Sequence, residues 1–284
     1  LRDSATPGHN WLINSAGEIQ TIEDGGTYLC LAATNPVLWN TPSDKINAWT
    51  PVGQEVATCG GSGTLGPLTR ITTPDPDEQV NGATLLGQFS PDGEMVAFFS
   101  EASNLTTDII PGTGLFVLDI KSGEVRRIAS SDQHVYSIPR WSPDSRELAF
   151  VSAAPDLVPG DTNSVKDVFV IDLTANTVER VSTDQEGGQA DRSSGSPDWS
   201  PDGTKIVFHS QATNLVPGDT NGDNGFEGSD VFVKNMATGD VQRISVTAAG
   251  AQLNGNLLGV MPRWAPDGEH VAFLSWGDIL ADQC

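Results

Sequence analysis

A strand-turn-strand unit that recurs along the chain, a second strand pair that follows it, and chain ends resembling two halves of one unit together predict an all-β protein. The architecture they predict is a single β-propeller of four-stranded antiparallel blades. Five blades are expected, with six as the alternative, and residues 1–284 form one domain.

The first unit occurs as WTPVGQEVATC from Trp49, FSPDGEMVAFFS from Phe89, WSPDSRELAFVS from Trp141, WSPDGTKIVFHS from Trp199 and WAPDGEHVAFLS from Trp264. Each copy has an aromatic residue, a proline that presets φ for a turn, in most copies Asp-Gly, and then an alternating apolar run. This reads as a hairpin. The second unit is LFVLDIKSGEVRRIA from Leu115, DVFVIDLTANTVERVS from Asp167 and DVFVKNMATGDVQRIS from Asp230, which reads as a further hairpin and completes four strands per blade. At the C-terminus, residues 262–275 supply a first hairpin without a second, whereas residues 10–22 supply a second without a first. If the two share one blade, hydrogen bonding closes the ring and no edge strand is left open. The blade around Cys59 is the weakest. Residues 26–48 form an irregular, insertion-like segment, and additional strand there would give the sixth blade.

Asp and Glu total 37 against 15 Lys and Arg, a formal charge of -22 that repels nucleic acid and anionic membranes. No apolar run approaches the ~18 residues of a membrane span. The chain starts at Leu1 without an apolar leader, which we read as an exported chain after signal removal, periplasmic or extracellular. In that compartment a Cys30–Cys59 disulfide is expected to staple the irregular region. Cys284 is left over and could crosslink subunits.

Tryptophans 49, 141, 199 and 264, with Phe89, share one register and are expected to pack between neighbouring sheets. Trp39 lies outside that register and is a candidate ligand platform. No GxSxG elbow, HExxH pair, CxxC pair or phosphate-cradling glycine loop occurs, so no catalytic residue is assigned. Propeller sites assemble from distant loops, and the residues to inspect are His134, Arg140, Arg192, His209 and Arg263. Arg140 and Arg263 occupy the same position before a tryptophan.

The most specific chemical pattern is the loop from Asp219. Asp219, Asn221, Asp223, Gly225 (through its carbonyl), Glu227 and Asp230 fall at positions 1, 3, 5, 7, 9 and 12 of a calcium loop. Asn224 stands where such loops carry glycine, and Asp rather than Glu closes the loop. A shorter relative, Asp161, Asn163 and Asp167, offers only three oxygens. LVPGDTN recurs in both loops, so part of it must be structural.

The WSPDG segments followed by VAF or IVF resemble the repeats of TolB-like propellers, over residues 87–275. PDLVPGDTNSVKDVFVIDL and TNLVPGDTNGDNGFEGSDVFVKNM resemble a subtype found in exported bacterial proteins. The resemblance implies the fold and leaves the activity open, because such propellers serve as translocation scaffolds, polysaccharide lyases and peptidase gates. The expectation is a noncatalytic, calcium-stabilised module that binds a protein or glycan partner. The rivals are a polysaccharide-active lyase or glycosidase, and a lectin or assembly module.

Overall fold

The fold is described from a computed structural model, which covers residues 10–13, 19–22, 79–107, 112–130, 138–221, 228–247, 250–253 and 261–274. Trp39, His134, Cys30, Cys59, Cys284, Asp223, Gly225, Glu227 and the 26–48 segment lie outside these residues.

The described residues contain no α-helix, and their strands follow the repeat. β1 (Asn10–Ile13) pairs with β2 (Ile19–Ile22). One sheet holds β3 (Thr84–Phe89), β4 (Met95–Ser100), β5 (Gly114–Asp119) and β6 (Val125–Ser130). The next holds β7 (Arg140–Trp141), β8 (Glu147–Ser152), β9 (Asp167–Asp172) and β10 (Thr177–Arg180). A third holds β11 (Ser194–Trp199), β12 (Lys205–Ser210), β13 (Asp230–Asn235) and β14 (Val241–Arg243). Finally β15 (Arg263–Trp264) pairs with β16 (Val271–Ala272). Each four-stranded sheet is antiparallel with its strands in chain order, the form of a propeller blade. β1–β2 and β15–β16 are the two hairpins predicted at the chain ends. Among the described residues each stands as its own two-stranded sheet, with no hydrogen-bonded ladder between them.

The tight turns arise from local chemistry. Ser90, Ser142 and Ser200 each donate a side-chain hydrogen bond to the aspartate two residues on (2.5, 2.6 and 2.6 Å), and that carboxylate accepts backbone N–H groups of the turn. The last turn residue is left-handed: Gly93, Gly203 and Gly268 have φ of 75, 72 and 69°, and Ser145 in the second sheet has 63°. Ser145 is held there partly because its Oγ accepts the N–H of Asp92 from the preceding turn at 3.1 Å.

The cores lie between successive sheets. Phe98 stacks on Phe116, Phe150 on Phe169 and Phe208 on Phe232, with ring centroids 5.7, 5.8 and 5.9 Å apart. All six rings are essentially inaccessible. Two of the register tryptophans, Trp141 and Trp199, join neighbouring sheets, as the repeat predicted. Trp141 Nε1 donates to the carbonyl of Gln88 at 3.0 Å, and Trp199 Nε1 to that of Arg140 at 3.1 Å. Each indole therefore fixes the first strand of one sheet, called its inner strand, against that of the sheet before it, and β3, β7, β11 and β15 lie side by side in that order.

Candidate functional site

Two groups of polar side chains emerge from this frame. The first contains the loop residues read as metal ligands. Asp219 and Asp230 converge on Arg243, which projects from β14 with Nη1 3.4 Å from Asp219 Oδ2 and 3.6 Å from Asp230 Oδ2. Gln252 donates to both carboxylates at 2.9 Å, Thr220 donates to Gln252, and Ser245 donates to Asp230. Asn221 donates to the carbonyl of Leu253 at 3.4 Å.

The shorter loop is built the same way. Asp161 and Asp167 face Arg180 at 3.4 and 3.8 Å, Ser182 donates to Asp167, Gln189 donates to Asp161 and Asn163 donates to the carbonyl of Ala190. Gln189 and Gln252 lie within the connections toward the next inner strands, and each is pinned by an isolated bridge, to Thr183 and Val246. The Asp-Thr-Asn loop thus clasps its own sheet to the start of the next.

The sheet of β3–β6 carries the complementary case. Gly114 stands where Asp167 and Asp230 stand, and Ala129 where Ser182 and Ser245 stand. Arg127, the counterpart of Arg180 and Arg243, lies over Phe116 at 5.6 Å and donates to the carbonyl of Thr113. A Cβ on Gly114 would meet Arg127 Nε at 2.8 Å. Aspartate, serine and arginine geometry change together.

Burial raises the pKa of Asp167 and Asp230 above the carboxylate range, outweighing the serine hydrogen bonds and the arginines that pull them down. Two buried carboxylates around one guanidinium form a strongly coupled group. A calcium ion held by Asp219 and Asp230 would compete with Arg243 for the same oxygens. Among the described residues no group of three or more His, Cys, Asp or Glu is arranged to hold a metal.

The second group lies on the inner strands. Among the described residues, those immediately before the register aromatics are Gln88, Arg140, Asp198 and Arg263. Arg140 Nε approaches Asp198 Oδ1 of the following sheet to 3.8 Å, and Asp198 Oδ2 accepts the N–H of Trp264 at 2.9 Å. Arg263 turns Nη1 to the carbonyl of Pro262 at 2.7 Å and lies within electrostatic reach of both Asp198 and Arg140. Burial raises the Asp198 pKa against the Trp264 N–H and both arginines, which lower it. Arg140 is depressed by burial first and by the Arg263 charge second, while Asp198 opposes both. Two cations share one carboxylate, so the cluster keeps an excess of positive charge.

The structure therefore brings Arg140 and Arg263 together and adds Asp198, which the sequence reading passed over. His209 and Arg192 lie elsewhere. His209 pairs with Gly195 near the start of β11, which Arg192 precedes, whereas Asp198 is near the end of that strand. His270 immediately precedes β16, where its Nδ1 is 2.8 Å from Asp267 Oδ2.

No protein-family profile matches the chain, and no curated protein matches it. Among solved structures the chain is similar to a Mycobacterium tuberculosis puromycin-hydrolysing peptidase, at 16% identity over 74% of this chain and 30% of that one, TM-score 0.44. It is also similar to the nidogen/laminin complex, at 9% identity over 69% and 58% with TM-score 0.42, and to the Dos1 propeller, at 12% over 68% and 45% with TM-score 0.31. The chain spans less than two thirds of each. These likenesses carry no argument about activity, and the class rests on the chain's own sheets: an all-β protein of repeated four-stranded antiparallel blades.

Proposed function

We propose that this chain is a noncatalytic binding propeller of the TolB-like, exported type, whose ligand meets the inner-strand cluster of Arg140, Asp198 and Arg263. The observation that carries the reading is the 2:1 ratio of arginine to carboxylate in that cluster, within a chain of formal charge -22. An isolated excess of positive charge in an acidic protein attracts anionic groups and orients them. The partner is a protein or glycan that presents an acidic group.

In this reading the ring has five blades, and residues 10–22 complete the sheet begun by residues 262–275. The Asp-Thr-Asn loops act as clasps between blades. Arg243 supplies the cation in the 219–230 loop, and calcium is the rival occupant. Cys30–Cys59 remains the proposed staple of the N-terminal region.

Binding and turnover are separated by titrating purified protein with acidic oligosaccharides and acidic peptides, while chromatography follows each ligand. Saturable binding with the ligand recovered intact, lost in Arg140→Met and Arg263→Met, supports the proposal. Release of shorter products would replace it with the polysaccharide-active enzyme.

A further inference from the structure

The inner-strand cluster also constrains what kind of acid it receives. No acceptor among the described residues lies within hydrogen-bonding distance of the Arg140 guanidinium, whose nearest carboxylate oxygen is 3.8 Å away. The Arg140 side chain is 19% exposed. Arg263 donates to its neighbour's carbonyl, and among the described residues most donors of the two planar forks face no acceptor. The cluster's excess is a single positive charge, which suits a monoanion better than a phosphate dianion.

An exposed apolar residue precedes each arginine. Ile138 and Met261 each stand two residues before an arginine and immediately before a proline, in the sequences Ile138-Pro139-Arg140 and Met261-Pro262-Arg263. A residue before proline is held extended, so each apolar side chain falls on the same side of its strand as its arginine. Both are exposed, at 37 and 56%, and with Leu274 they are the exposed large hydrophobic residues of the described chain. The same motif thus occurs on two inner strands, with β11 and its Asp198 between them.

On the binding reading above, we infer that the cluster is a receptor for a carboxylate attached to an apolar group, with Arg140 and Arg263 holding the carboxylate and Ile138 and Met261 covering the apolar part. A sugar acid fits less well, because its hydroxyls would face Ile138 and Met261 without partners. A peptide ending in an apolar residue and a free aliphatic acid share the required chemistry.

Calorimetric titration of the full chain tests this with five probes: N-acetyl-leucine, its methyl ester, hexanoate, acetate and citrate. N-acetyl-leucine is expected to bind at least about tenfold tighter than its ester, which lacks the charge, and than acetate, which lacks the apolar group. Hexanoate equal to N-acetyl-leucine assigns the site to aliphatic acids, and a clear preference for N-acetyl-leucine assigns it to peptide ends; either supports the inference. Arg140→Met and Arg263→Met should each weaken binding about tenfold or more. Ile138→Asn and Met261→Asn should weaken N-acetyl-leucine without weakening acetate. Melting curves establish that each variant is folded, and two separate arginine variants guard against misfolding of either one. Equal binding of acid and ester, or wild-type affinity in both folded arginine variants, overturns the inference. If acetate and citrate bind as well as N-acetyl-leucine, the apolar half is wrong and the anion-binding reading stands. If no acid binds, both fail.

Discussion

Replacing Arg243 with methionine leaves Asp219 and Asp230, whose side chains are each 1% exposed, without their cation. Removing one partner of a buried ion pair costs about 3–5 kcal/mol, because the remaining charge stays desolvated. With 284 residues and an unfolding entropy of about 2.1 cal/mol/K per residue, 1 kcal/mol corresponds to about 1.7 °C, so Tm should fall by about 5–8 °C at neutral pH. The loss should be pH-dependent. Asp230 already has a raised pKa from burial, and without Arg243 it should rise further. A carboxylate whose folded pKa is raised costs stability above that pKa, and the cost disappears as pH falls through it. The gap between wild type and variant should therefore narrow on acidification toward pH 4. Asp219→Asn and Asp230→Asn added to Arg243→Met should recover most of the loss, since replacing all members of a buried charge group is often near neutral. The assay is thermal and urea unfolding with chelator or added calcium. A loss below about 1 kcal/mol in the variant, with a wild-type Tm that drops on chelation, would refute the arginine clasp and give the loop to calcium.

Four further outcomes follow from the same physics. Gly114→Ala should destabilise by about 1–3 kcal/mol in urea, because the new Cβ meets Arg127 Nε at 2.8 Å and a Phe116 ring carbon at 2.9 Å. Phe208→Ala should cost about 3–5 kcal/mol by removing a fully buried ring stacked on Phe232, measured in the same way. Ser145→Ala should lose about 1 kcal/mol with its Asp92 hydrogen bond, whereas Ser145→Gly should lie near zero because relief of a φ of 63° offsets that loss. Asp202, held by Ser200 and Thr204, has its pKa lowered to about 2, and carboxyl NMR titration of Ser200→Ala should move it up toward 3.8. Its stabilising contribution is present above 3.8 and lost as pH falls toward 2.

The sequence made the local parts of the fold legible. The Ser-Pro-Asp-Gly turn is closed by residues within five positions of one another, so its composition states its geometry. The role of Trp141 and Trp199 could be read because a residue at one register in every repeat faces the same neighbour each time. The clasp was harder to see. Its oxygens come from one short loop, but Arg180, Ser182 and Gln189 arrive from a strand and a connection well downstream, and an arginine needs the same pattern of oxygens as a metal ion. The available signal was internal: Arg-Val-Ser or Arg-Ile-Ser and a later Gly-x-Gln accompany the Asp-Thr-Asn loop in two units, and the unit with Gly114 has Ala129 in place of serine. Asp198 was missed for a similar reason. Its position matches Gln88, Arg140 and Arg263, but a register in which the residue type changes each time does not show as a motif.

Ring closure decides whether the inner strands surround a shared channel, and the spacing between the two ends of the chain tests it directly. Spin labels placed at Gln20 in β2 and at Glu269 beside β16, in a variant lacking the native cysteines, report that spacing in solution. If the two hairpins belong to one sheet, strands about 5 Å apart keep the labels within about 20 Å, and their spectra broaden through dipolar coupling. Unbroadened spectra with a separation above about 30 Å, roughly the width of a small domain, would mean that the sheets form an open arc.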